Sequence, residues 1–93
     1  MSEYVTVEAR PTADPDTLEI VTNQTLTSAA SERYADPAAG DEGSPLAQTL
    51  FAAVDGLAAL TITAHSLRVR RMPGAAWETI VDDVRDALRD FFL

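Results

Sequence analysis

Cysteine is absent from this 93-residue chain. From its own side chains it can build no disulfide, no thiolate metal site, no cysteine nucleophile and no cysteine-ligated iron–sulfur cluster. Lysine is absent too. All seven basic residues are arginine, set against fifteen acids, and the formal net charge is −8. So acidic a chain is poorly suited to broad nucleic-acid binding or to an anionic membrane surface. Glycine is scarce: Gly40, Gly43, Gly56 and Gly74 stand apart as breakers and form no phosphate-cradling loop. No apolar run approaches the roughly 20 residues of a membrane-spanning helix. The start, Met1-Ser2-Glu3-Tyr4, lacks the basic-then-apolar layout of a secretory signal. A cytoplasmic protein with no membrane and no nucleic-acid partner is therefore expected. Abundant alanine and arginine without lysine reads as genomic composition bias, with a salt-adapted surface as the alternative.

What is present fits one domain over residues 1–93: a hydrophobic fraction of 46% is ordinary for a globular chain of this size. Charge is unevenly placed. Residues 45–74 hold one acid and three arginines, so the middle of the chain is electropositive between two acidic flanks.

Tyr4 to Glu8 alternates with the strand period, Val5 and Val7 on one face. The run from Pro11 to Pro15 is dense in turn formers and is expected to break the ladder. Thr17 to Thr22 resumes alternation with Leu18 and Ile20 together, so the two strands pair as a long-looped hairpin. Residues 23–43 carry few large apolar groups and read as mostly ordered loop, with room for one short strand. Ser44-Pro45 is a sharp helix start, serine capping free N–H groups and proline at the first helical position. Leu46, Leu50 and Val54, with Phe51 beside them, form the apolar stripe. Asp55-Gly56 ends the helix, with Gly56 suited to the left-handed position. Leu57–Thr63 and Leu67–Arg71 read as strands around an Ala64-His65-Ser66 turn, closed by Met72-Pro73-Gly74. Trp77, Ile80, Val81, Val84, Leu88 and Phe91 recur at helical spacing and are expected to bury one side of a final helix. The order β-β-α-β-β-α predicts an α/β (α+β) two-layer sandwich. It would have a four-stranded, mainly antiparallel sheet with both helices on one face, and Glu8, Glu19, Thr61, Thr63, Arg68 and Arg70 on the other.

Several of these segments together resemble the N-terminal domain of the Nfu/NifU-type iron–sulfur scaffold proteins. The family's Thr-Pro-Asn-Pro-like turn and following strand correspond to Thr12-Ala13-Asp14-Pro15 and Thr17-Leu18-Glu19-Ile20. Its Ser-Pro-Leu-Ala helix start, running on to Leu-Phe and Gly-Val, corresponds to Ser44-Pro45-Leu46-Ala47, Leu50-Phe51 and Gly56-Leu57. A threonine- and valine-rich hairpin and a tryptophan-led terminal helix match Leu60 to Val69 and Trp77 onward. The resemblance implies iron binding only at the level of the family. In two-domain members the cluster belongs to a separate C-terminal domain with a Cys-x-x-Cys pair, so this chain resembles a stand-alone copy of the half without ligands. The family carries no catalytic residues over, and its N-terminal domain is regarded as a partner- or client-contacting module.

His65, the only histidine, sits beside Ser66 in a hairpin turn, where adjacent side chains point apart; it reads as an exposed turn residue and not as a general base. Asp82, Asp86 and Asp90 line one helix face, yet Arg85 and Arg89 follow at salt-bridging spacing, so a solvated charged face is expected rather than a hard-cation site. Arg68, Arg70 and Arg71 are the positive centre. They either pair with strand neighbours or dock an acidic segment through planar guanidinium forks. Thr12, Asp14 and Pro15, like Ser44 and Pro45, are explained as turn and helix start, or as a rim for a partner.

The function expected is a non-catalytic interaction module accessory to iron–sulfur assembly, needing no cofactor and no metal of its own. Its partner would be a cysteine-bearing NifU-like scaffold or an iron–sulfur client. The alternative is a small-ligand-binding or regulatory domain outside that pathway.

Overall fold

The computed structural model describes residues 5–92. The chain runs through β1 (Val7–Pro11), β2 (Thr17–Thr22), β3 (Glu32–Tyr34), α1 (Pro37–Asp41), α2 (Pro45–Ala53), β4 (Leu57–Ile62), β5 (Ser66–Arg71) and α3 (Trp77–Phe92). The sheet is antiparallel with order β1-β2-β5-β4-β3. It therefore has five strands where four were expected. The fifth, β3, is only three residues long, too short for period-two alternation to stand out. Its formation follows from the path of residues 23–31, which carry the chain from β2 to the far edge of the sheet. They cross the tip of the β4–β5 hairpin, where the Leu26 N–H donates to the Ala64 carbonyl at 2.7 Å and Leu26 is buried. The β4–β5 hairpin thus lies between β2 and β3.

The first strand is also displaced from its expected place. Pairing begins at Val7, opposite Thr22, and runs through Pro11, opposite Leu18. Proline lacks an N–H, and an edge strand with one unpaired side tolerates it. Tyr4, expected in this strand, lies outside the described residues.

Alternation determines what each sheet face presents. Ile20, Leu60, Ile62, Leu67 and Val69 point one way and are buried under α2 and α3. From the helices come Leu46, Ala47 and Leu50 of α2, and Ile80, Val84, Ala87 and Leu88 of α3. Each fully buried leucine or isoleucine contributes about 1.5–3 kcal/mol relative to exposure. Phe91, expected in this layer, is instead 40% exposed, because Phe92, one turn after Leu88, is the residue that packs against the core; the two rings meet edge-on.

Two glycines have distinct roles. Gly74, with φ +83°, follows Pro73 in the tight turn closed by the Ala75 N–H to the Met72 carbonyl at 3.0 Å. A positive φ at that corner is what glycine accommodates. Gly56 does not adopt the left-handed conformation expected of it, since the helix ends through an extended Val54. Its need is space: a Cβ there would lie 2.8 Å from the Ala75 Cβ and 3.2 Å from Ile80 Cδ1.

Candidate functional site

Helices cover one face of the sheet and leave the other open. The register places Arg10, Glu19, Arg68, Thr61 and Arg33 side by side in one row across all five strands. Arg70 stands one step along β5, opposite Thr17. The face expected from alternation therefore forms with Arg68 and Arg70 on it, and gains Arg10 and Arg33. Glu8 and Glu19 are the acids there, so an electropositive face lies on a molecule of net charge −8.

The expected cross-strand pairing does not neutralise this face. Arg10 takes Glu8 at 3.1 Å along its own strand. Among the described residues, the side chains of Arg33, Arg68 and Arg70 form no hydrogen bond or ion pair, and Glu19 is bridged to neither arginine beside it. A hollow of about 350 Å³ opens between Arg33 and Arg68, floored by Thr61, Thr63 and Ser66 with Glu19 at its side. The Thr63 and Ser66 hydroxyls are 2.6 Å apart and satisfy one another.

Arg71 belongs to a different structure. Strand parity turns it away from Arg70, and it clamps the Thr12–Asp16 loop. Its Nε meets Asp16 Oδ1 at 3.1 Å, its backbone N–H donates to the Asp16 carbonyl at 3.0 Å, and its Nη1 reaches the Ala75 carbonyl. The guanidinium also lies 5.2 Å from the Trp77 ring centroid, and the indole N–H donates to the Pro15 carbonyl at 3.1 Å. Inside the loop, Thr12 Oγ1 donates to the Thr17 carbonyl at 2.8 Å. The Asp14 carboxylate accepts from the Asp16 N–H at 2.9 Å and from the Thr17 hydroxyl at 3.0 Å. The Asp16 amide first and the Thr17 hydroxyl second hold the Asp14 carboxyl below its ordinary range, and nearby Arg70 adds to the effect. Thr12 and Asp14 thus shape the loop through their own hydrogen bonds.

His65 is exposed at the hairpin tip, its Nδ1 3.1 Å from the Gln24 carbonyl. On α3, Arg85 reaches Asp82 at 3.2 Å. Among the described residues, no group of three or more histidine, aspartate or glutamate side chains is placed to hold a metal ion, and no helix is long and apolar enough to cross a membrane.

The model of the family described as scaffold protein Nfu/NifU N terminal matches residues 7–93. The chain belongs to this Nfu/NifU N-terminal family. The fold agrees with a NifU-like protein of Saccharomyces cerevisiae, solved in solution, at TM-score 0.78 and 17% identity, covering 97% of this chain and 82% of that one. A crystallised Staphylococcus aureus protein superposes at TM-score 0.71 and 17% identity, covering 88% and 96% of the two chains. No curated protein matches by sequence.

The Ser44-Pro45 start of α2 is built into the far edge of the sheet. Ser44 caps the helix by accepting from the Ala47 N–H at 3.3 Å, and Pro45 opens it. The Ser44 N–H donates to the Tyr34 hydroxyl at 3.1 Å, and that hydroxyl donates to Glu32 Oε1. Sequence reasoning passed over Glu32 and Tyr34; the signal was an alternating Glu-Arg-Tyr triplet ten residues ahead of a helix cap. Burial pushes the Glu32 carboxyl up, but hydrogen bonds from Ser44, Thr27 and Tyr34 outweigh it and leave it below its ordinary value of 4.5. For a depressed carboxyl the stabilisation is complete above the ordinary value and is lost as pH falls through the folded-state value. Glu32→Gln is therefore expected to destabilise the domain by about 1 kcal/mol at neutral pH. Thermal melts across the acid limb should show the variant losing less stability than the parent as pH falls below the ordinary carboxyl value of 4.5. Parallel curves would show that Glu32 does not carry this dependence.

Proposed function

We propose that this Nfu/NifU N-terminal domain is a non-catalytic interaction module accessory to iron–sulfur cluster assembly, holding a partner or client on its open sheet face and ligating no cluster itself. The observation that carries this reading is the uncovered face on which Arg33 and Arg68 have no ion-pair or hydrogen-bond partner among the described residues, with Arg70 beside them. Long guanidinium side chains left without partners on a rigid sheet are available to a partner's carboxylates at little reorganisation cost. The partner is a cysteine-bearing NifU-like scaffold or an apo client. Arg68 and Arg70 make contact, and Thr12, Asp14, Pro15 and Arg71 act indirectly by fixing the loop beside them. The lack of any thiol among the 93 residues supports a role without cluster ligation.

The test combines the domain with a cluster-loaded, cysteine-bearing NifU-like scaffold and an apo acceptor. Binding is read by calorimetry and cluster transfer by visible circular dichroism. The expected result is binding to scaffold or acceptor with an altered transfer rate. After incubation with iron and sulfide the domain alone should elute without a cluster. Absence of both binding and any change in transfer overturns the interaction role, and a stoichiometric cluster on the domain overturns the non-ligating role.

A further inference from the structure

We infer that the open face reads an extended acidic segment of a protein partner, with carboxylates at every third residue, laid across the strands from Arg33 over Arg68 toward Arg10. This rests on the interaction reading above and adds the chemistry and spacing of what is bound.

The row alternates between arginine and other residues: Arg33 on β3, Thr61 on β4, Arg68 on β5, Glu19 on β2 and Arg10 on β1. Neighbouring strands lie about 4.8 Å apart, so successive arginines in the row sit about 10 Å apart. A polyproline-II segment repeats every three residues with a rise of about 3.1 Å each, presenting every third side chain on one side at about 9 Å intervals. Glutamates three apart on such a segment therefore match the arginine period. Between Arg33 and Arg68 the hollow of about 350 Å³ is roomy enough for a carboxylate. Thr61 at its floor adds a hydroxyl donor.

Charge points to a short acidic peptide over other anions. A nucleic acid brings a dense run of phosphates toward a molecule of net charge −8 whose acids lie mostly outside this face. A short peptide with a few carboxylates fits inside the positive area. Two acids limit the affinity toward β1: Glu8 already holds Arg10 at 3.1 Å, and Glu19, bridged to neither neighbouring arginine among the described residues, stands between Arg68 and Arg10, where an incoming carboxylate meets a like charge.

The experiment is a fluorescence-anisotropy titration of the intact domain with a labelled Glu-Pro-Ser-Glu-Pro-Ser-Glu peptide at low and high salt. The expected result is saturable, salt-weakened binding. Arg33→Glu with Arg68→Glu should reduce it by about tenfold or more, and Glu19→Gln should strengthen it several-fold. Arg33→Ala with Arg68→Ala, checked by circular dichroism for intact fold, gives the same direction without reversing charge. Equal binding of the glutamine-substituted peptide, or indifference to both double variants, overturns the inference. Citrate binding as tightly as the peptide would make this a small-anion site and overturns it as well, as would self-association of the domain in place of peptide binding. If the peptide fails while the domain still alters cluster transfer, only this inference falls. Peptide binding without any effect on transfer removes the assembly role instead.

Discussion

Trp77→Ala is expected to lower the unfolding free energy by about 3 kcal/mol, a large share of the roughly 5–14 kcal/mol typical of a domain of this size. The loss has three parts. The half-buried indole packs against the core and leaves a gap when truncated. Its N–H is the donor to the Pro15 carbonyl, which then loses that partner. Its ring face is the surface over which Arg71 lies, and Arg71 in turn holds Asp16. The terms share one cluster and will not add, so a double-mutant cycle with Arg71→Ala should show coupling between the two. Trp77→Phe keeps a ring under the guanidinium and gives up the donor, and should cost about 1 kcal/mol. Urea unfolding followed by far-ultraviolet circular dichroism measures these values. Trp77 is the only tryptophan, so its fluorescence in the parent and in Arg71→Ala reports on the clamp directly. An unchanged urea midpoint for Trp77→Ala would mean the loop is held by other contacts.

The parts of this fold that could be read from the chain are those whose signal is local. Alternation in Leu18–Ile20, Leu60–Ile62 and Leu67–Val69 identified the three inner strands, and the stripe from Ile80 to Leu88 identified α3, because each element buries one face. The misplaced parts depend on information from elsewhere in the molecule. Pro11 lies within a strand because that strand is at an edge, and edge position is a property of the sheet. β3 exists because β4 offers it a partner. Gly56 is needed because α3 returns close to it. The site divides along the same line. Arg68 and Arg70 were legible from parity, and parity also separates Arg71 from them. Arg10 and Arg33, more than twenty residues apart in sequence, reach one row only through the order β1-β2-β5-β4-β3, which no local pattern encodes. An acidic chain thus assembles a basic face from scattered arginines, and composition alone could exclude roles without locating that face.

Leu50→Ala is expected to destabilise the domain by about 3 kcal/mol and to lower the melting temperature by roughly 15–20 °C. Leu50 has 0% exposure, with Leu46 at 2% and Ala47 at 0%, so the apolar members of the Ser44-Pro45-Leu46-Ala47 run and its continuation face the core. Phe51 beside them packs edge-on against Tyr34, the ring centroids 6.3 Å apart, and Tyr34 is the residue whose hydroxyl meets Ser44. This run therefore joins three things: the cap of α2, the core beneath it and the short edge strand β3. Truncating Leu50 removes buried methyl groups that surrounding backbone cannot fully collapse to replace, which is why the cost exceeds simple transfer. Because α2 lies on the covered side of the sheet, this run should govern whether the domain is folded and leave the proposed recognition on the open face intact. Thermal denaturation measures the first effect, and titration of the acidic peptide well below the variant's melting temperature measures the second. The expected pair of results is a much lower melting point with peptide affinity within about twofold of the parent, since Leu50 is fully buried on the covered side of the sheet while the arginine row lies on the other. A variant that keeps its melting temperature but loses the partner would assign the Ser-Pro-Leu-Ala run to recognition and not to the core.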